Sequence, residues 1–230
     1  MRLNYIDCCD CLEGMKNIPD RSVDLIVTDP PYLINYATNH RKDKMHDFCT
    51  TIANDNNPAL IKACLLECFR VLKPNSAAYV FCSAKTLDTF KQFATEAGFV
   101  IKNTIIWVKN NWTAGDLKAQ FGQQYEPLLL LNKGRAEIRG KRLTDVWSFD
   151  RVAGKAQVHQ NQKPVDLIAQ CIEKHSDPGD IVLDPFMGSG TTAVACLRTG
   201  RNYIGFELDE AYHAIALQRI ADTEAELRGV

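Results

Sequence analysis

Short apolar runs alternate with amphipathic helical runs along this chain, and that alternation restricts it to a sheet covered by helices. Strand-like runs occupy 3–6, 23–28, 77–82, 99–108, 125–131, 180–183 and 202–206. Helix-like runs occupy 58–71, 86–97, 164–175, 190–199 and 210–226. In the third helical run Pro164 suits the first turn, and Val165, Ile168, Cys171 and Ile172 fall on one face. Gly200 is placed to cap the next helix. Strands alternating with helices imply an α/β fold, a mostly parallel sheet covered on both faces. The runs 99–108 and 125–131 have no long helix between them, so they are expected to form an antiparallel hairpin.

Composition fits one domain over residues 1–230. A chain of this length buries about 70% of its unfolded surface. No apolar run approaches the roughly 20 residues of a membrane span, and the N-terminus lacks a signal-peptide pattern. Nine cysteines would mean disulfides in a small secreted chain. Here they sit in apolar runs, as at Cys82, Cys171 and Cys196, which favours a reduced, cytoplasmic protein. Cys8 and Cys11 have the spacing of a metal knuckle but lack a second pair. Cys64 and Cys68 lie in an apolar helix pattern and read as core. No metal site is expected.

Asp29-Pro30-Pro31-Tyr32 follows the apolar run Val23–Thr28. A carboxylate, two prolines and an aromatic ring at the end of a strand make a rigid polar pocket. Proline fixes its φ near −65° and has no N–H, so the Pro30 carbonyl is held in a set direction. Asp29 and that carbonyl can accept both hydrogens of one exocyclic amino group, while Tyr32 offers a face for a planar base. The plainer reading is a strand-to-loop turn.

A second segment reads Asp180-Ile-Val-Leu-Asp184-Pro-Phe186-Met-Gly188-Ser189-Gly190-Thr191-Thr192. Strand, glycine turn and helix N-terminus bring backbone N–H groups toward a ligand. The next strand ends in Glu207, about 20 positions after the glycines, where an acidic residue commonly binds ribose hydroxyls. A phosphate-binding P-loop would need a lysine that is absent here.

Together these motifs resemble the S-adenosylmethionine-dependent amino-methyltransferases of the bacterial DNA type, with their DPPY and FxGxG motifs. The catalytic motif precedes the cofactor motif, which is the circularly permuted order of that family's beta group. Cys9-Asp10-Cys11-Leu12-Glu13-Gly14-Met15 is similar to its GDCLxxL/M segment, with Cys9 in place of the glycine. His159–Pro164 is similar to its HxxQKP segment. The resemblance implies a Rossmann-like S-adenosylmethionine-dependent methyltransferase fold. It implies a catalytic set of Asp29, Pro30 and Tyr32. It further implies a cofactor set of Asp10, Cys11, Asp29, Lys163, Asp184, Phe186, Gly188, Ser189, Gly190, Thr191 and Glu207. In that set Asp10 meets the adenine, Glu207 the ribose and Lys163 the methionine carboxylate. DPPY favours adenine N6; cytosine N4, an RNA or protein substrate, and a silent cofactor-binding subunit stay as alternatives. A homodimer and a cognate restriction enzyme are further partners that the family implies.

Net charge is −1, yet residues 133–163 hold eight Lys/Arg against three acids. Arg41, Lys42 and Lys44 add to this in the polar loop 33–57. The loop 33–57 and the basic segment 133–160 are therefore expected to contact duplex DNA, the loop ordering as it does so.

Overall fold

The computed structural model describes residues 1–34, 54–113, 116–153 and 162–229. The elements in order are β1 (Tyr5–Cys8), α1 (Cys11–Met15), β2 (Val23–Thr28), α2 (Pro58–Val71), β3 (Leu72–Phe81), α3 (Leu87–Glu96) and β4 (Val100–Val108). They continue with β5 (Tyr125–Lys133), β6 (Val146–Ser148), α4 (Val165–His175), β7 (Ile181–Asp184), α5 (Thr191–Thr199), β8 (Asn202–Glu207) and α6 (Glu210–Arg228). The strands form one sheet in the order β1-β8-β7-β2-β3-β5-β4-β6. Among the described residues only β5 runs against the rest, pairing antiparallel with both β3 and β4. The expected mostly parallel sheet and the expected hairpin are both present.

Residue alternation along the strands sorts the core into two layers. Val23 and Ile26 of β2, with Ala78 and Val80 of β3, meet α1, α2 and α3 on one face. Leu25 and Val27, with Ala77, Tyr79 and Phe81, meet α4, α5 and α6 on the other. Cys64, Cys68, Cys82, Cys171 and Cys196 are buried within these layers, as their apolar settings imply.

Two local expectations are corrected. The first strand lies at 5–8 rather than 3–6, set by its pairing with β8. Pro164 stands at the N-cap of α4, with extended backbone, rather than in its first turn. Two elements were not foreseen: β6, three residues long, and α1, a short helix whose N-cap is Asp10. Both are too short for periodicity to register.

Neighbouring strands β2 and β7 send their chains to opposite faces, β2 onward to α2 and β7 onward to α5. Connections diverging at adjacent strand ends leave a crevice there, the usual ligand position in an open α/β sheet. Asp29 and Asp184 stand at its two sides.

Candidate active site

The crevice opens into a cavity of about 740 Å³, within the range for small-molecule sites. One half is built on β7 and β8. Gly188 has φ +54°, and nothing lies within 4 Å of where a side chain would project, so a ligand can approach its backbone closely. Its N–H donates to Glu207 Oε2 at 2.7 Å, and the N–H of Asp209 donates to Oε1 at 2.8 Å. Two fixed donors thus aim the Glu207 carboxylate. Burial raises its pKa while those N–H groups oppose the shift. Asp10, Cys11, Phe186, Ser189 and Thr191 line the same half.

Several expected cofactor residues carry structural duties here. Asp10 accepts from the Leu12 N–H at 2.8 Å, capping α1. Asp184 accepts from the Phe186 N–H at 3.0 Å and from the Thr192 hydroxyl at 2.6 Å. Burial pushes its pKa up to about 7. Gly190 does not line the cavity. Its φ of +83° makes the turn, and a Cβ there would lie 3.1 Å from the Ala216 Cα, so α6 requires glycine at that point. Ser189 and Thr191 face a residue the motifs did not reveal. Arg219 of α6 donates to the Ser189 carbonyl at 2.6 Å, to its hydroxyl at 3.0 Å and to the Thr191 hydroxyl at 3.2 Å.

The other half holds a charged cluster around Asp29. Tyr32 donates its hydroxyl to Asp29 Oδ1 at 2.6 Å, and Lys163 donates to Oδ2 at 2.6 Å. Lys163 is 6% exposed, so it is not a solvated lysine. Its ammonium lies 5.4 Å from the Tyr32 ring centre and 5.2 Å from that of Phe81. Its partners are the carboxylates of Asp29 and Glu126, the latter 3.3 Å away. The structure therefore sets Lys163 beside Asp29 and Glu126. Glu126 is also ion-paired with Lys109.

These charges separate the two carboxylates. Burial raises the pKa of Asp29, against the attraction of Lys163, and the nearby charge of Glu126 adds to the rise. Burial would also raise Glu126, but Lys163 and Lys109 together hold it below its ordinary value. The two neighbouring carboxylates are thus shifted in opposite directions, Asp29 upward and Glu126 downward.

Glu126 and Lys109 were missed in the sequence. The signal was Glu126-Pro127 inside an otherwise apolar strand run. A charge in such a run calls for a partner.

The basic segment is divided by the fold. Arg139 pairs with Asp177 at 3.0 Å and Lys133 bonds the end of α2, both at the amino ends of the parallel strands, away from the cavity. Arg151, reached after β6, lines the cavity. Arg41, Lys42, Lys44, Lys155 and His159–Asn161 lie outside the described residues, as does most of the loop 33–57.

A glycine turn after β7 and an aimed acid at the end of β8, beside a carboxylate cluster beyond β2, define a class of cofactor-dependent α/β enzymes. The profile of the N6/N4 DNA methylases matches residues 23–218, and the chain belongs to that family. YubD of Escherichia coli (strain K12), which carries a methylase name, is 34% identical over 219 residues, 95% of this chain and 91% of YubD. The type II methyltransferase M.HinfI of Haemophilus influenzae is 30% identical over 259 residues, 96% of this chain and 69% of that protein. The solved complex of M1.HpyAVI with S-adenosylmethionine superposes with a TM-score of 0.73 at 30% identity, covering 94% of this chain and 98% of that one.

Proposed function

We propose that this DNA methyltransferase moves a methyl group from S-adenosylmethionine to the exocyclic N6 of adenine in duplex DNA, taking the base out of the helix to do so. The observation that carries this reading is the placing of Asp29 and Pro30 at the end of β2, in one cavity with Gly188 and Glu207 at the ends of β7 and β8. The cofactor half fits an adenosine-bearing ligand. Glu207 is aimed for a ribose diol and Gly188 leaves its backbone open. When bound there, the cofactor supplies an electrophilic methyl on sulfur.

The chain's own residues do the rest. Asp29 and the Pro30 carbonyl accept the two amino hydrogens, which favours a pyramidal nitrogen with a free lone pair. The cavity walls hold that nitrogen in line with the methyl, and positioning of this kind supplies much of the acceleration. The nitrogen becomes cationic on methylation and then releases a proton. Asp29, whose pKa burial has raised, is placed to receive it. Duplex DNA hides the amino group's approach, so the base must be extruded into the pocket. Arg151 at the cavity, with the exposed rings of Trp112 and Phe121 on the β4–β5 connection, is the proposed DNA-facing rim.

DPPY rather than a serine-initial motif supports adenine over cytosine, while the N6/N4 family profile covers both bases. The deciding experiment gives the protein methyl-labelled cofactor with duplex DNA, RNA or protein, then identifies the labelled product. N6-methyladenine from duplex DNA is expected. Label in N4-methylcytosine would keep the mechanism and change the base, and label confined to RNA or protein would overturn the substrate. Asp29→Ala should lower turnover on the order of 100–1,000-fold, the scale for losing a positioned electrostatic group. Turnover within a few-fold of wild type would remove Asp29 from the chemistry.

A further inference from the structure

Both hydrogen-bond donors on Asp29 share one second acceptor. The Tyr32 hydroxyl lies 2.6 Å from Asp29 Oδ1 and 3.2 Å from Glu126 Oε2. The Lys163 ammonium lies 2.6 Å from Asp29 Oδ2 and 3.3 Å from that same Glu126 oxygen. The other Glu126 oxygen is held by Lys109. Asp29, the proposed acceptor for the substrate amino group, thus already carries a hydroxyl on one oxygen and an ammonium on the other before any base arrives.

A neutral amino group competes poorly with an ammonium for a carboxylate, because charge-assisted bonds are the stronger ones. Pulling Lys163 from Asp29 with no replacement would strand a buried cation, which is strongly unfavourable. Glu126 removes that obstacle. We infer that Glu126 is the positioning residue of this site: Tyr32 and Lys163 swing onto its Oε2 when the base enters, leaving Asp29 free to accept the amino hydrogens. The inference rests on the proposed methylation of an exocyclic amino group.

The exchange moves no proton and leaves the total charge unchanged. Lys163 remains paired throughout, first mainly with Asp29 and then with Glu126. Lys109 fixes Glu126 by its other oxygen, so the acceptor stays in place while the donors move. In the chemical step the nitrogen–methyl bond forms as the sulfur–methyl bond breaks, and the bond pair stays on sulfur. The extra nitrogen proton then passes to Asp29. With Lys163 now on Glu126, Asp29 is a better base than when it pairs with the ammonium directly.

The test is Glu126→Gln, which keeps size and one acceptor but removes the charge. Turnover on amino-bearing duplex DNA should fall about tenfold or more, as loss of positioning does. The KM for the methyl donor should not change. A second readout needs no cofactor: carboxyl NMR titration of Asp29 in the free protein. Among the described residues Tyr32, Lys163, Glu126, Cys82 and Asp184 are the titratable groups that face Asp29, and Lys109 sits behind Glu126. With Glu126 neutralised, Asp29 should titrate at lower pH and hold Lys163 more tightly. Glu126→Asp should recover part of the turnover. Wild-type turnover with an unmoved Asp29 titration overturns the inference. If Glu126→Gln does not fold, Lys109→Met loosens the same carboxylate, and unchanged turnover there overturns it as well. Failure of the wild-type protein to methylate any amino-bearing base would instead sink the underlying function.

Discussion

Two half-buried cations at the amino end of the sheet and two lysines at its carboxyl end are held by different partners. At the amino ends of the parallel strands, Lys133 donates to the Phe69 carbonyl and, at 2.7 Å, to that of Leu72, closing the end of α2. Arg201 donates to the Ser176 carbonyl at 2.7 Å and to that of Thr199. At the carboxyl ends, Lys163 and Lys109 bond carboxylates instead. Backbone carbonyls neither titrate nor swing away, so cations bonded to them act as fixed fasteners. Carboxylates can gain protons and trade partners. Around Asp29, the lysines Lys163 and Lys109 have partners able to change.

The sharpest break of this comparison is Lys163→Met. It leaves the partly buried carboxylates Asp29 and Glu126 facing each other without their shared cation. Loss of roughly 3 kcal/mol of stability is expected, the scale for breaking a buried pair, together with loss of turnover. Denaturant titration beside a methylation assay checks both, and a stable, active variant would show that the cluster is not coupled.

Glu207→Ala probes the cofactor half. Methyl-donor affinity should drop by about 1.4 kcal/mol, a factor of ten, if a charge-assisted bond to the ribose is lost. Unchanged affinity by calorimetry in a folded variant would take Glu207 out of the site.

Two buried titratable groups should pull stability in opposite directions with pH. Asp184 has its pKa raised to about 7 by burial, so its contribution is complete below about pH 4 and is lost as pH rises toward 7. His175 lies 2.7 Å from the Tyr79 hydroxyl, and its pKa is lowered to about 4, mainly by burial. Its contribution is complete above about pH 6.5 and is lost as pH falls toward 4. Asp184→Asn should therefore make stability climb more steeply between pH 4.5 and 7, by no more than about 1.4 kcal/mol per pH unit. Thermal unfolding across that range checks the slope, and a parallel curve would mean Asp184 ionises in the fold as it does in water.

Lys133→Met is the mildest test. About 1 kcal/mol of stability should go with its bonds to the α2 carbonyls, and turnover per folded molecule should stay at the wild-type value. A fall in turnover would mean the two ends of the sheet communicate.

The parts of this molecule legible in the sequence are those that local chemistry determines. The Asp29–Tyr32 turn, the Gly188–Gly190 turn and Glu207 each follow directly from a strand and sit where strand ends put them. The amphipathic runs of α2 and α4 announced their faces. Glu126 escaped notice because its role depends on a non-local event: β5 pairs antiparallel with β3, matching Phe81 to Leu128, and this carries Glu126 up to Asp29. The same reversal carries Lys133 and Arg139 to the far end. Counting charges along 133–163 could not show which of them reach the cavity. Arg219 needed α6 folded over the glycine turn before its partners existed.

The order of strands has a consequence for how the protein is made. β2, second in the chain, takes β7 as a neighbour, and β1 pairs with β8, the last strand of all. A nascent chain that has reached residue 180 on the ribosome has completed β2 and β3 but has nothing to lay along the other edge of β2. Buried strands with an open edge are templates for pairing with other chains. Synthesis stalled at that point should yield an aggregation-prone product, whereas release of the remaining stretch closes the gap, so the last-made quarter of the chain acts as the keystone for the first.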